Sequence, residues 1–282
     1  MSANIIDGKA LAFKIREELK LRITDLTRKG RQPGLAVVIV GDNPSSRKYV
    51  NMKKKVCAEL GIYSQEHALA GETTQAELLR LIDELNQNPK IHGILVQLPL
   101  PGQLNEAQVI ERIAPSKDVD GFHPINVGRL MIGIPGFISC TPAGVMELIK
   151  STGVSITGKE CVVLGRSNIV GKPQVMLLLR EHGTVTVCHS KTSDLGVICR
   201  RADILIAAVG KPELIKGDMV KPGAVVIDVG TSVNAEGKLV GDVDFNSVVE
   251  VAGWLTPVPG GVGPMTIAML MKNTVESAWG ML

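Results

Sequence analysis

The chain has 282 residues, a net charge of +3 and 45% hydrophobic residues, which suits one large domain or two ordinary ones. Aromatic residues make up only 3% of it, and the mixed charges form no basic stripe, so a dedicated nucleic-acid-binding protein is excluded. No segment offers about twenty unbroken apolar residues and the first residues lack a secretory signal pattern, so we expect a cytoplasmic protein that does not span a membrane.

Short β-branched runs bounded by Gly, Pro or Asp predict buried parallel strands. These runs are residues 35–40, 91–97, 161–164, 184–188, 204–208 and 225–228. Helical patterns occupy 9–29, 45–60, 74–86, 142–150, 169–181 and 192–201, and a closing helix starts at about Met265. Thr74 and Glu77 form a capping box, and Thr141 is predicted to cap a helix that has Pro142 at its first position. The alternation predicts right-handed βαβ units and an α/β fold.

The five cysteines form no Cys-x-x-Cys pair and share no metal-ligand spacing with the five histidines. We expect reduced, structural thiols and no metal site. The stretch from Asp118 to Gly121 suggests a calcium loop, but the position that needs a bidentate Glu is Arg129, so an EF-hand is excluded. The carboxylate of Asp120 suits a ligand rich in N–H donors, and an Asx-turn is the alternative interpretation.

Tyr49 and Lys53 are four residues apart on a predicted helix and therefore share one face. Lys53 begins a run of three lysines that would otherwise indicate a solvated face. At most one of the three can point squarely at a site. Gln97 ends an apolar strand, where open α/β sheets bind ligands, and a structural hydrogen bond is the alternative role.

The segment from Val162 to Pro173 has the order of a phosphate-binding loop: a strand, a glycine turn and a helix. Gly165 makes the turn, Ser167 stands where a second glycine is usual, and Gly171 allows close packing, although a plain strand-to-helix turn has the same pattern. The next predicted strand ends without the carboxylate that an NAD site would place there. Ser190 and Lys191, with Arg166, could instead hold a 2′-phosphate, which favours NADP over NAD, and a solvated Lys191 is the alternative.

The segment from Pro257 to Pro264 combines three prolines with three glycines and has no ionisable side chain. It can act only through its backbone. It is either a tight connector before the last helix or a rigid backbone wall beside a ligand.

Five motifs in order, Tyr-x-x-x-Lys, Gln-Leu-Pro-Leu-Pro, Lys-Asp-Val-Asp-Gly-Phe, Gly-Arg-Ser-x-Ile-Val-Gly-x-Pro and Pro-Gly-Gly-Val-Gly-Pro-Met-Thr, cover nearly the whole chain. Together they resemble the bifunctional methylenetetrahydrofolate dehydrogenase/methenyltetrahydrofolate cyclohydrolase family in its short bacterial form. The resemblance implies two α/β lobes with the active-site cleft between them. Residues 1–139 with 266–282 would bind folate, and residues 140–265 would form a Rossmann-like NADP domain. It also implies a homodimer and a role in one-carbon metabolism.

The resemblance further assigns roles by residue. Lys53 would be the principal catalytic residue with Gln97 beside it, Tyr49 would stack on folate, and Asp120 would bind the pterin edge. The remaining implied contacts to the folate substrate are Leu98, Pro259, Gly260, Gly261 and Val262. Those to the cofactor are Gly165, Arg166, Ser167, Ile169, Ser190 and Thr231, of which Thr231 departs from the aliphatic residue usual in the family. The alternatives are another two-lobe NADP-dependent dehydrogenase, of the shikimate type, and a non-catalytic nucleotide-binding relative.

Overall fold

The computed structural model describes residues 2–234 and 236–280, which divide into two compact units. Unit 1 contains the described residues of Met1–Phe13 and Ser139–Thr266, and unit 2 those of Lys14–Ile138 and Ile267–Leu282. Helices α1 (Gly8–Arg28) and α10 (Val262–Trp279) each contribute residues to both units. None of the helices in the described residues is long and apolar enough to cross a membrane.

Besides its parts of α1 and α10, unit 2 contains, in chain order, β2 (Gly34–Val40), α2 (Pro44–Leu60), β3 (Tyr63–Leu69), α3 (Gln75–Gln87), β4 (Gly93–Val96), α4 (Glu106–Arg112) and α5 (Pro124–Ile132). Its three strands form a parallel sheet with the order β3-β2-β4. Both β2 and β4 are wholly buried. Ile82 and Leu78 of α3 pack with Val38 and Ile94 in the core on one face, and each such buried side chain contributes about 1.5–3 kcal/mol.

Unit 1 is built on a larger parallel sheet. The strands of this sheet are β1 (Asn4–Ile5), β5 (Glu160–Leu164), β6 (Thr184–Cys188), β7 (Ile204–Ala207), β8 (Val225–Asp228) and β11 (Trp254–Leu255). Their order among the described residues is β1-β11-β8-β7-β5-β6. Around it lie α6 (Cys140–Ser151), α7 (Gly171–Arg180), α8 (Leu195–Cys199), a 3₁₀ turn (Gly217–Met219), the β9 (Ser232–Val233) and β10 (Leu239–Val240) ribbon, and α9 (Phe245–Val248). The α/β class and the parallel strands are confirmed.

Each of the six predicted strands is present to within two residues at either end. Strand β3 was missed because its central residues Ser64, Gln65, Glu66 and His67 are polar and only half-buried, as befits the edge of a sheet. Helix α5 was also missed, in the segment that the sequence indicated as a pause. It begins at Pro124, and the His123 ring accepts a hydrogen bond from the Ile125 amide.

The predicted helix ends need four corrections. Helix α6 begins at Cys140, so Thr141 is not its cap, and the Thr141 hydroxyl instead hydrogen-bonds the Thr266 hydroxyl at 3.0 Å. Helix α7 begins two residues later than predicted and α10 three residues earlier. Helix α8 is shorter than the predicted 192–201. The capping box is confirmed, since Thr74 and Glu77 bind each other's backbone amides.

The described residues up to Phe13, which were predicted to belong to the folate-binding domain, belong by their contacts to the other unit. Strand β1 pairs in parallel with β11, with Asn4 opposite Trp254 and Ile5 opposite Leu255. Residues up to Phe13 therefore belong by contact to unit 1 and not to the unit that contains β2. A two-residue strand is too short to have a recognisable hydrophobic period, which is why the sequence did not indicate it.

Candidate active and nucleotide-binding sites

Lys53 and Gln97 meet in unit 2, where the Lys53 Nζ donates a hydrogen bond of 2.9 Å to the Gln97 Oε1. Lys53 lies in the third turn of α2. The start of this helix is stabilised by the Asn43 side chain, which accepts a hydrogen bond from the Ser46 amide, and by Pro44 at the first position. Its side chain is only 8% exposed. A lysine this buried needs specific polar partners, and Gln97 is one of them.

Gln97 is held from two sides at the carboxyl end of β4. Its backbone amide donates to the Val38 carbonyl at 2.8 Å, and its side-chain amide donates to the Leu98 carbonyl at 2.8 Å. The second bond fixes the orientation of the side-chain amide, so its oxygen faces Lys53. Gln97 is therefore positioned to orient the lysine ammonium, and Leu98 takes part through its backbone carbonyl.

The three lysines of the run have different surroundings. Lys54 pairs with Glu66 at 3.0 Å, Lys55 is exposed, and Lys53 alone is buried. Tyr49 lies one turn before Lys53 and is half-buried. Burial raises the pKa of Cys57, one turn after Lys53, to about 12, so this thiol is unreactive near neutral pH.

The turn that carries Asp120 is built by its neighbour Asp118. The buried carboxylate of Asp118 accepts bonds from the amides of Phe122 and His123 and from the Asn126 side chain, at 2.8–3.1 Å. Burial nevertheless raises the pKa of Asp118 to about 6. Asp118 thus organises the turn through amides four and five residues further on, and Asp120 is a half-buried second carboxylate in the same turn.

A residue of α10 that the sequence did not single out supports this turn. The Asn273 side-chain amide donates to the Val119 carbonyl at 2.8 Å and to the Ile138 carbonyl at 3.1 Å. A lone Asn in an apolar helix was the signal that could have found it, because a buried amide must be satisfied.

The glycine turn after β5 has no room for a side chain. A Cβ on Gly165 would lie 2.2 Å from the Ala208 carbonyl oxygen, and φ there is +115°. A Cβ on Gly171 would lie 2.2 Å from the Gly165 carbonyl oxygen. Both positions therefore require glycine, and they bring the start of α7 close to the end of β5.

Ser167 caps α7 in place of a conventional N-cap. Its Oγ lies 3.2 Å from the Val170 amide and 3.3 Å from the Gly171 amide and accepts from both. Val170 is not helical, with φ −130° and ψ −64°, which is why α7 starts at Gly171 rather than at Ile169. Ile169 is 39% exposed, and its carbonyl accepts a bond of 2.6 Å from the Ser139 hydroxyl.

The side chains predicted to recognise the 2′-phosphate are exposed. Arg166, Ser190 and Lys191 are all open to solvent in unit 1, and so is Thr231, which is a further predicted cofactor contact. The turn after β6 is rigid, because the His189 amide donates to the Thr192 hydroxyl at 2.9 Å and the His189 ring accepts from the Lys191 amide at 3.2 Å.

The segment from Pro257 to Pro264 is less of a loop than its composition indicated. Helix α10 already begins at Val262, while Gly260 and Gly261 are buried and Pro259 is exposed. A Cβ on Gly8 of α1 would lie 1.9 Å from the Gly261 carbonyl oxygen. Within unit 1 the segment is therefore packed tightly, backbone against backbone.

A brace between two aspartates was missed from the sequence. Asp228 accepts bonds from the amides of Gly230, Asp242 and Val243, at 2.8–3.0 Å. Asp242 in turn accepts from the amides of Val209 and Gly210 at 2.6 and 3.0 Å. The brace fixes the loops at the carboxyl ends of β7 and β8, which is the edge where an open α/β sheet binds its ligand.

We predict that Asp228 makes stability depend on pH. Burial raises its pKa from 3.8 to about 6. Between these values the folded chain keeps a proton that the unfolded chain has lost, so stability falls as pH rises through this window. From pH 4 to 7, the free energy of unfolding of the wild type minus that of Asp228→Asn should fall by about 2 kcal/mol. Urea unfolding at pH 4, 5, 6 and 7 measures it, and parallel profiles would contradict the prediction.

Two family models match the chain in sequence order. The model described as tetrahydrofolate dehydrogenase/cyclohydrolase, catalytic domain, matches residues 6–120, and that described as its NAD(P)-binding domain matches residues 139–281. The chain belongs to the tetrahydrofolate dehydrogenase/cyclohydrolase family. The match to the second model covers the glycine turn, the aspartate brace and the segment from Pro257 to Pro264.

Relatives in this family are similar over their full length. A bifunctional protein FolD of Acetivibrio thermocellus is 64% identical over 99% of this chain and 98% of its own. The crystal structure of the bifunctional enzyme FolD from Campylobacter jejuni has a TM-score of 0.98 at 52% identity, covering 100% of both chains. The Trypanosoma brucei enzyme, crystallised with NADP cofactor and inhibitor, has a TM-score of 0.95 at 42% identity and covers 100% of this chain and 99% of its own.

The alternative of a shikimate-type enzyme is not favoured. The shikimate dehydrogenase of Thermus thermophilus has a TM-score of 0.53 at 16% identity, covering 88% of this chain and 100% of its own. This likeness shows a shared fold and nothing more. The tetrahydrofolate dehydrogenase/cyclohydrolase family matches far more closely in both sequence and structure.

Proposed function

We propose that this chain is a bifunctional one-carbon folate enzyme. It oxidises 5,10-methylenetetrahydrofolate to 5,10-methenyltetrahydrofolate with NADP⁺ and then hydrolyses the product to 10-formyltetrahydrofolate. The partly buried hydrogen bond between Lys53 and Gln97 carries this proposal, because it places an oriented cation at the ligand-binding end of β4. A non-catalytic relative would have no need for such an arrangement.

The nucleotide-binding residues of unit 1 fit NADP. Gly165 and Gly171 let the backbone at the end of β5 and at the start of α7 pack closely, and the dipole of α7 favours an anion such as a pyrophosphate at this end of the helix. NADP⁺ supplies the hydride acceptor. Exposed Arg166, Ser190 and Lys191 provide donors for the 2′-phosphate, and we also assign cofactor contacts to Ser167, Ile169 and Thr231.

Unit 2 supplies the folate-binding side chains in this proposal. Tyr49 stacks on the folate rings, while Asp120 accepts bonds from the N–H groups of the pterin edge. Gln97 and the Leu98 backbone hold the reacting end. Pro259, Gly260, Gly261 and Val262 belong to unit 1, and we assign them ligand contacts without charge, since the segment has no ionisable side chain. Oxidation leaves a cation delocalised over two folate nitrogens, and orientation is the main contribution of the protein.

Hydrolysis needs proton transfers that orientation cannot provide. Water adds to the methenyl carbon, and its oxygen loses two protons in all as the formyl group forms. The nitrogen of the carbon–nitrogen bond that breaks gains one of these protons, and the other is released. Lys53 is the proposed group for these transfers, oriented by Gln97. If Lys53 is charged when water attacks, it either polarises the reacting atoms or donates a proton to the leaving nitrogen, and another group takes the proton from water.

One spectrophotometric experiment tests both activities. NADP⁺ and methylenetetrahydrofolate are mixed with the protein, and NADPH formation and the rise and decay of the methenyl absorbance are followed together. Both signals are expected, with decay faster than in the absence of protein. NADPH formation without accelerated decay of the methenyl absorbance would contradict the cyclohydrolase activity. The absence of both signals would contradict the whole proposal.

The choice of NADP is tested by Arg166→Ala. We expect the KM for NADP⁺ to rise about tenfold or more, since a charge-assisted bond to phosphate contributes about 1.5–3 kcal/mol, while the KM for NAD⁺ changes much less. Arg180→Ala, at the other end of α7, is the matched control because Arg180 is also exposed. Equal effects on both cofactors would mean that Arg166 does not recognise the 2′-phosphate.

Two broader proposals accompany this function. The chain forms a homodimer, supported by the free edge of β3 in the three-stranded sheet, since an edge strand can pair with a second copy. Light scattering should then give about twice 30.1 kDa. A cytoplasmic location is supported by five free, buried cysteines, which suit a reducing compartment.

A further inference from the structure

A cavity of about 720 Å³ in unit 2 lies far from the Lys53–Gln97 pair. It is formed at the amino ends of the three strands, by the residues just before β2, the first residue of β3 and the residues just before β4. His92 in its wall and Gln97 are five residues apart along an extended segment, which corresponds to about 16 Å. The cavity is therefore separate from the proposed active site.

The wall of the cavity is strongly cationic. Arg31, Lys90 and Lys117 line it beside the imidazole ring of His92, and the described lining residues include no Asp or Glu. Arg31, Lys90 and Lys117 form no ion pair with any carboxylate in the described part of the chain. Cations gathered without counter-charges repel one another, and an anion would relieve that repulsion.

Two of these groups are fixed by the fold. The Lys117 ammonium donates to the carbonyls of Leu85 and Asn88 at 3.0 and 2.9 Å, which uses two of its three protons. The His92 Nδ1 accepts from the Gly34 amide at 3.1 Å, so the proton of the neutral ring is on Nε2 and can be donated. Both groups therefore keep a donor available, and burial lowers the pKa of each, with the charges of Arg31 and Lys117 adding to the effect on His92.

The volume and one further wall residue indicate the size of the ligand. A cavity of this volume is in the range of small-molecule sites, which is about 300–1,000 Å³, and is too large for a lone phosphate. Tyr63, 41% exposed, offers a flat aromatic surface in the same wall. We propose that this cavity binds a metabolite of nucleotide size that carries a phosphate and an aromatic ring. The phosphate would bind Arg31, Lys117 and His92, and the aromatic ring would stack on Tyr63.

The site can be tested on the full-length protein with AMP as the probe and saturating NADP⁺ in the cofactor site. The Hε1 resonance of His92, assigned through His92→Gln, reports on the cavity, and that of His189 reports on the cofactor loop. AMP should shift the His92 resonance and raise the pKa of His92, because it brings a phosphate into a wall whose titratable residues, among those that the structure describes, are His92, Arg31, Lys90, Lys117 and Tyr63. A response of His189 alone, or of neither histidine, would overturn the proposal.

Variants separate the contributions of the phosphate and the ring. Arg31→Met should weaken AMP binding about tenfold, as for loss of a charge-assisted bond, and should leave the dehydrogenase rate without AMP unchanged. Lys55→Met, which removes an exposed lysine of the same unit, should bind AMP as the wild type does. Inorganic phosphate should bind about tenfold more weakly than AMP, since ring stacking adds affinity. Equal binding of AMP by Arg31→Met and wild type, or of phosphate and AMP by the wild type, would contradict the assignment.

Discussion

Lys53→Met should reduce hydrolysis of methenyltetrahydrofolate by about 10²–10⁴-fold, the usual contribution of a positioned acid or base. Methionine has a similar length but cannot donate or accept a proton, so the proton transfers lose their carrier. Folate should still bind, because Tyr49 and Asp120 are untouched. The cyclohydrolase rate is followed by the decay of the methenyl absorbance, and folate affinity by direct titration.

Controls for this variant come from the same helix. Lys55→Met removes an equivalent charge at an exposed position and should keep the full rate. Lys53→Met also leaves the Gln97 oxygen without the lysine donor, so thermal unfolding of both variants shows whether a change in rate reflects a change in stability. A Lys53→Met protein that hydrolyses methenyltetrahydrofolate at the wild-type rate would remove Lys53 from the mechanism.

Gly165→Ala should destabilise the protein by about 3 kcal/mol or more and weaken NADP binding at least tenfold. The added Cβ would lie 2.2 Å from the Ala208 carbonyl oxygen, and φ at +115° is one that alanine rarely adopts. The backbone at Gly165 must therefore move away from Ala208, which displaces the glycine turn between β5 and α7. Urea unfolding and a cofactor titration measure the two effects.

Gly158→Ala in the same unit separates backbone strain from the clash. Its φ is +74°, and no atom lies within 4 Å of the added Cβ, so it should cost only about 1–2 kcal/mol. It should leave NADP affinity unchanged. If the two variants have the same stability and affinity, close packing against Ala208 is not what makes Gly165 necessary.

Much of the site could be predicted from the sequence because its chemistry is local. Tyr49 and Lys53 share a helix face at a fixed spacing, and Gln97 ends a strand of recognisable pattern. The sequence could not indicate which hydrogen-bond partners these residues have in the folded chain. The bond from Lys53 to Gln97 joins residues 44 positions apart, and the Asp228–Asp242 brace joins two loops whose aspartates look like ordinary strand ends.

The same distinction holds for the fold. Hydrophobic runs and turn residues by themselves determined the α/β class, the parallel strands and the glycine turn after β5. Hydrophobic periodicity and the conformational freedom of glycine both act within a few residues. Tertiary structure alone decided that β1 joins the sheet of unit 1 and that Lys53 rather than Lys54 or Lys55 is buried. It also decided that cations from separate connectors gather in one cavity. These outcomes depend on contacts between residues distant in sequence, whose free energies arise only when the chain is folded.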